Sequence, residues 1–396
     1  MAQLIDSFLH LLLLLLSSTH YSSSEEAANH HNVIDYGAKP DGETDSTKAF
    51  LDAWDAACGS PAPATILVPA GFFLVNHVTF HGPCKSSYIT VQIDGTLVAP
   101  TDYANFGKTK QWMMFNGVQG VSVSGGTIDG RGKSLWDCKN SDGDCPEGST
   151  SLTFRKSKNV TISGLRSRNS ELYHMVIEDC EGVTVQGAKI EAPEDSPNTD
   201  GIHIHKSTGV TLIRSDIGTG DDCVSVGPDT TGLWIEQVTC GPGHGISIGS
   251  LGKVYEEKGV ENVTVKLVEL TGTTNGLRIK SWGRPSTGFV NNVLFQNVTM
   301  QNVKHPIIID QNYCPHHEGC PGKDSGIKIS QVSYSNIRGS SATEEAVTFN
   351  CSAANPCNGI RLEEIELTYR NEPAKSSCDH AQGTSFGRVN PPSCLQ

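Results

Sequence analysis

Three carboxylates, a histidine and two cations recur at one register of this chain. Asp200 precedes Gly201-Ile202-His203-Ile204-His205, and the adjacent Asp221 and Asp222 precede Cys223-Val224-Ser225-Val226-Gly227. Both runs alternate apolar and polar residues, the period of a half-buried strand. His244 stands 22 residues after Asp222, ahead of Gly245-Ile246-Ser247-Ile248. Asn275 stands 31 residues further on, ahead of Gly276-Leu277-Arg278-Ile279-Lys280. Aligning the apolar positions gives three columns. The first contains Asp200, Asp222, His244 and Asn275; the second His203, Ser225, Ser247 and Arg278; the third His205, Gly227, Gly249 and Lys280. Strands stacked in parallel place column neighbours about 4.8 Å apart.

Carboxylates that close cannot all stay ionised, so at least one pKa must rise. A neutral carboxylic acid beside an ionised carboxylate is what glycoside hydrolysis needs: one protonates the leaving oxygen and the other activates water. His244 lies one coil away, where it can tune those groups. Arg278 and Lys280 are a local reversal of sign on a chain of net charge −13. They predict an anionic substrate held by charge-assisted hydrogen bonds.

Plainer readings compete. Asp beside Gly is ordinary turn chemistry, His203 and His205 face outward and read equally well as surface, and Arg278 with Lys280 would pass for a solvated strand face. Recurrence at one register, with Asp221 adjacent, favours chemistry over turns. Strict alternation would point Asp200 and Asp222 inward with Ile202 and Val224, so the turn must swing them out, which Gly201 permits.

The elements that must hold these residues read as a ladder of coils. A Gly/Asn-Val-Thr-Val-like phrase recurs at Val121, Val160, Val183, Val210, Val263 and Val293; from Val160 the steps are 23, 27, 53 and 30 residues, and the long step contains one more coil around Leu233-Trp234-Ile235. Periods of 20 to 30 without helical patterning predict a parallel β-helix, and the LxxLxL frame of leucine-rich repeats is missing. A solenoid grows without splitting, so residues 25–396 form one domain despite their length. Residues 45–58 are the one clear helix, capped by Asp45 or Ser46, with Phe50, Trp54 and Ala57 on one face. It is expected to cover the open N-terminal end of the ladder. Residues 378–396 read as an irregular C-terminal cap.

Residues 1–24 read as a signal peptide: Phe8 to Leu16 is leucine-rich but too short to span a bilayer, and small residues follow, although Asp6 replaces the usual positive charge. Thirteen cysteines argue for an oxidising compartment. Spacing suggests the pairs 138–145, 223–240, 314–320, 351–357, 378–394 and 58–84, with Cys180 left as a buried thiol. No CxxC exists to support zinc. Acidity excludes nucleic acid as a partner, and no membrane partner is expected once the leader is removed. Sequons at Asn159, Asn262, Asn297 and Asn350 allow glycosylation, but three read Asn-Val-Thr in the repeat, where Asn also suits a left-handed corner.

Asn198-Thr199-Asp200, Gly220-Asp221-Asp222, Gly243-His244-Gly245 and Arg278-Ile279-Lys280 resemble, in order, the four signature motifs of the polygalacturonases, glycoside hydrolase family 28. The runs CGPGHGISIGSLG and NGLRIKSWGRPSTGF are similar to plant members, and the likeness covers the mature chain from Asn32. The resemblance implies a right-handed parallel β-helix and inverting hydrolysis of α-1,4-linked galacturonan, without a cofactor or metal. It implies Asp221 as general acid, Asp200 and Asp222 as the residues that activate water, and His244 as support for the acid. Arg278, Lys280, Asn198 and, by a single-residue match, Tyr313 would bind substrate. Pectin or polygalacturonic acid is the implied partner, with a polygalacturonase-inhibiting protein as a candidate and a monomer as the expected state. Stacking alone gives a spacing nearer the retaining separation than the ~6.5–9.5 Å of inverting enzymes, so inversion rests on the resemblance. A calcium-dependent pectate lyase and a non-catalytic polysaccharide-binding β-helix are the alternatives. Endo against exo action depends on loop shape, which the motifs do not carry.

Overall fold

The computed structural model describes residues 29–141, 143–315 and 319–396; the proposed leader lies outside them. Parallel strands wind into a right-handed β-helix, the hand that parallel crossovers adopt. An eleven-stranded sheet runs from Val78–His81 to Lys375–Asp379 in chain order, and a twenty-stranded sheet curls round the remaining faces. The pairs are parallel except for a hairpin between Cys357–Tyr369 and Glu372–Pro373.

The recurring phrase marks one corner of the coil. Val121, Val160 and Val183 stack in register, as do Val263 and Val293 further on, and each points into the core. The residue before each phrase is left-handed: Gly120 (φ 67), Asn159 (52), Gly182 (68), Gly209 (68), Gly232 (66), Asn262 (57), Asn292 (53), Gln331 (54) and Gly359 (66). Glycine and asparagine tolerate this region best, so their recurrence is a backbone requirement. A second corner, at Gly125, Gly164, Gly187, Arg214, Gln237, Leu267, Asn297, Asn336 and Glu364, is also left-handed, with glycine or asparagine at five of its nine positions.

Inside the coil, like stacks on like. Phe80, Phe115 and Phe154 occupy one register position, with Phe115 and Phe154 stacked at 4.9 Å. The helix runs Thr47–Gly59 and closes this end. Its Trp54 packs on Phe80 and Phe115 at 5.2 and 5.5 Å and donates from Nε1 to His81 O at 3.0 Å. Ser46 occupies the cap position without capping, since its hydroxyl turns to Lys39 and Thr44; Asp45 Oδ1 instead accepts from Thr47 N at 2.9 Å.

The C-terminal tail departs from the expected irregular cap. Lys375–Asp379 and Ala381–Asn390 are strands that continue the two sheets in parallel. Its residues are polar and exposed, so alternation is faint, and the preceding coil supplies the pairing that the local sequence does not advertise. All six spacing-based cysteine pairs are disulfides, and Cys180 is a buried free thiol.

Candidate active site

Four consecutive strands of the eleven-stranded sheet carry the site: Ile202–His205, Val224–Val226, Ile246–Leu251 and Asn275–Trp282. Their pairing aligns His203, Ser225, Ser247 and Arg278 in one outward column. Ile202, Val224, Ile246 and Leu277 point into the core at 0–1% exposure. The turns before the first two strands do swing the acids outward, because outward-facing side chains reach them.

Asp222 is the most tightly held. Its Oδ1 accepts from Ser247 Oγ and from Arg278 Nη2, each at 2.7 Å, and its Oδ2 accepts from Lys280 Nζ at 2.8 Å. Arg278 Nε also donates to Ser247 Oγ at 2.9 Å. Burial alone would raise the Asp222 carboxyl, but Lys280 and Arg278 outweigh it and hold the group well below the usual range. Asp200 is the opposite case. Burial raises it well above the usual range, the charges of Asp221 and Asp222 add to this, and the hydroxyl of Ser225, donating to Oδ2 at 2.6 Å, offsets only part. The pKa values of two carboxyls in one groove are therefore driven apart, Asp222 downward and Asp200 upward, the direction of separation an acid–base pair requires.

Asp221 sits between them and is more open, its side chain 20% exposed. Its Oδ1 meets His244 Nδ1 at 2.9 Å and accepts from Asp222 N at 2.8 Å. Tyr313 covers the cations, with Lys280 Nζ 5.1 Å from its ring centroid, and Trp282 packs edge-on against it at 5.5 Å. Asn198 lines the same groove from a left-handed backbone (φ 57). The groove encloses about 510 Å³. All eight sequence-predicted residues thus converge: six line it, and His244 and Arg278 bond to Asp221 and Asp222.

Gly249 is required by close approach as well as by its φ of +113. A Cβ there would lie 2.1 Å from Lys280 O and 3.0 Å from Lys280 Cγ, displacing the cation. One atom each from Asp221, Asp222 and His244 lie within 4.8 Å of one another, the one metal-capable group among the described residues. Asp222 already spends both oxygens on two cations and Ser247, which compete with any metal for it.

The family model of glycosyl hydrolases family 28 matches residues 58–390. The chain belongs to glycosyl hydrolases family 28. Within this family, a polygalacturonase from Prunus persica is 58% identical over 365 residues, covering 92% of this chain and 93% of its own. An exopolygalacturonase from Platanus acerifolia is 42% identical, covering 91% and 96%. The fold matches that of the solved endo-xylogalacturonan hydrolase from Aspergillus tubingensis with a TM-score of 0.76 at 24% identity, over 88% of this chain and 98% of that one. This family 28 chain is accordingly a glycoside hydrolase of the polygalacturonase group.

Several groove residues escaped the motifs. Tyr173 lies on a loop without repeat signal, yet it lines the groove with its ring 5.1 Å from that of His203. Burial, then the charges of Asp200, Asp221 and Asp222, push its hydroxyl pKa up. His203 and His205 do face outward, but into the groove and not onto open surface. His203 Nδ1 meets Ser225 Oγ at 2.7 Å, linking the ring to Asp200, and burial pushes the imidazole down to about 3. Lys253, Glu257 and Trp282 complete the wall.

Proposed function

We propose that this enzyme hydrolyses α-1,4 bonds of galacturonan with inversion, without a metal. The clamping of Asp222 by Arg278 and Lys280, beside an Asp200 whose carboxyl burial pushes up, carries this reading. A carboxylate with both oxygens committed to donors is a weak nucleophile, so a covalent intermediate on Asp222 is disfavoured. It remains charged, and it retains lone pairs that orient and polarise a water together with Asp200. Asp221, the most open of the three, protonates the leaving oxygen. His244, on Asp221 Oδ1, holds that carboxyl in place.

Burial favours the resting proton on Asp200, whereas the role of donor falls to Asp221. The two are reconciled if the three carboxyls titrate as one set carrying a single proton. Substrate draws that proton to Asp221 and leaves Asp200 ionised toward the water. Arg278 and Lys280 keep unused N–H donors, which bind the carboxylate of the sugar at the scission point. Residues 1–24 direct the chain to the secretory route, in keeping with six disulfides. The cell wall is then where it meets pectin.

Polygalacturonate incubated with the enzyme should yield new reducing ends whose first-formed anomer is β, read by proton NMR within the first turnovers. A chelator should leave the rate unchanged. Ultraviolet-absorbing unsaturated products that vanish with chelator would mean lyase chemistry, and binding without reducing ends would mean a non-catalytic role.

A further inference from the structure

The outward column of the site uses one hydrogen-bond device twice, with different endings. His203, Ser225, Ser247 and Arg278 follow one another on successive coils. Each serine reaches back to the acid that opens the strand before its own. Ser225 Oγ donates to Asp200 Oδ2 at 2.6 Å, and Ser247 Oγ donates to Asp222 Oδ1 at 2.7 Å. Each serine oxygen also meets an end of the column: Arg278 Nε donates to Ser247 Oγ at 2.9 Å, and His203 Nδ1 lies 2.7 Å from Ser225 Oγ.

The two endings differ in what they permit. A guanidinium and an ammonium only donate. With Arg278 and Lys280 on it, and Ser247 turned toward it by Arg278, Asp222 meets donors alone and is held in one charge state. A neutral imidazole carries its proton on either nitrogen, so Nδ1 donates in one tautomer and accepts in the other. The serine hydroxyl rotates to suit. With Nδ1 protonated, the chain of donors runs from His203 through Ser225 to an ionised Asp200. With Nε2 protonated, it runs the other way, from a neutral Asp200 through Ser225 to Nδ1. The ring stays neutral throughout, because burial pushes it down to about 3; His205, Lys253 and Lys280 add to this and Asp222 opposes it. His203 also lines the groove, which gives its ring edge access to the site.

We propose that His203 is a positioning residue for Asp200: acting through Ser225, its ring changes tautomer so that the Asp200 carboxyl keeps a hydrogen-bond partner with and without its proton. The inference rests on the function proposed above, in which Asp200 holds the resting proton and gives it up once substrate binds. The protons balance along the chain. His203 takes a proton from the groove at Nε2, its Nδ1 proton passes to Ser225 Oγ, and the serine proton passes to Asp200 Oδ2. The reverse sequence ionises Asp200 and returns the proton to the groove. Asp221 and Asp222 also push the Asp200 carboxyl up, behind burial, and Ser225 and Lys280 pull it down. Ser225 is thus the one neutral group that favours the ionised form, and His203 decides which way it points.

The test compares wild type, Ser225→Ala, His203→Leu, the double variant and His203→Asn on polygalacturonate across the acid range. Ser225→Ala should lower kcat about tenfold with KM kept, the weight of one hydrogen bond to a charged group. It should also move the acid limb of the kcat profile to higher pH, because ionised Asp200 has lost a donor. His203→Leu should shift both in the same direction and by less, and the double variant should match Ser225→Ala, since His203 acts through the serine. His203→Asn should recover most of the loss, because a carboxamide both donates and accepts near the place of Nδ1. A packing defect would scale the profile without moving it. In nitrogen-15 NMR of the substrate-free enzyme, the His203 proton should move from Nδ1 to Nε2 as Asp200 protonates. Additive losses in the double variant, an unmoved acid limb, or a tautomer that stays fixed through the Asp200 titration would overturn the proposal. A wild type that yields no new reducing ends would instead sink the hydrolase reading, and the tautomer measurement would still decide this one.

Discussion

Asp200 and Asp222 show how much a residue's neighbours matter when its type does not. Both are aspartates at equivalent strand entries, both are buried, and their carboxyls move in opposite directions, because Lys280 and Arg278 reach Asp222 while Asp200 meets a serine hydroxyl and two negative neighbours. A clear stability consequence follows for Asp200. A carboxyl whose folded pKa is raised is favourable to folding in its neutral form, and that contribution is lost as pH rises through the folded pKa. Asp200→Asn should therefore raise Tm more at pH 7 than at pH 4, while abolishing activity; an equal gain at both pH values would contradict a neutral Asp200. Asp221→Asn should lower kcat by about 100- to 10,000-fold, the usual weight of a general acid, with KM and circular dichroism kept. The rate should fall from mild acid toward alkaline pH as the shared proton is lost. Asp222, held low, should stay ionised through the acid side. The candidate acids and cations were legible because their chemistry is carried by residue type. Tyr173 and Lys253 were not, since a loop tyrosine and a surface lysine look ordinary until the coil brings them to the groove.

At the scale of the element, each coil turns on single left-handed residues, and its corners leave traces of unequal strength in the sequence. The Gly/Asn phrase is readable because eight of its nine residues are of the types that tolerate the conformation. Gln331 is the exception, at φ 54. Gln331→Asn should raise stability by up to about 1 kcal/mol, visible in thermal or denaturant unfolding. A loss would mean that its side-chain contact with Asn291, at 3.3 Å, matters more than the backbone. The second corner was fainter, because at Arg214, Gln237, Leu267 and Glu364 the ladder on either side imposes the conformation on whatever residue arrives. The tail failed for the same reason: Ala381–Asn390 has little strand pattern, and a ready-made edge pairs it.

For the whole molecule, the ladder has an end that must be closed. Trp54 joins the Thr47–Gly59 helix to the first phenylalanines of the core. Trp54→Ala should cost about 3–5 kcal/mol and expose the terminal edge to self-association. A dispersed, equally stable variant in light scattering and calorimetry would show that the helix is dispensable. The groove itself is a property of the assembled coil: its floor is four strands, and its walls draw on residues as distant as Tyr173, on a loop, and Tyr313, at the end of the strand His305–Tyr313.

The sequence by itself determined the period, the inward faces and the residue types offered to the groove, and it suggested the cysteine pairs, because each depends on local spacing or on side-chain chemistry. The tertiary structure alone decided in which direction each carboxyl shifts, that His203 and His205 look into a groove, and that Lys253 lines both this groove and a depression beside it. Those outcomes depend on burial and on charges several coils away, and neither distance nor dielectric is written along the chain.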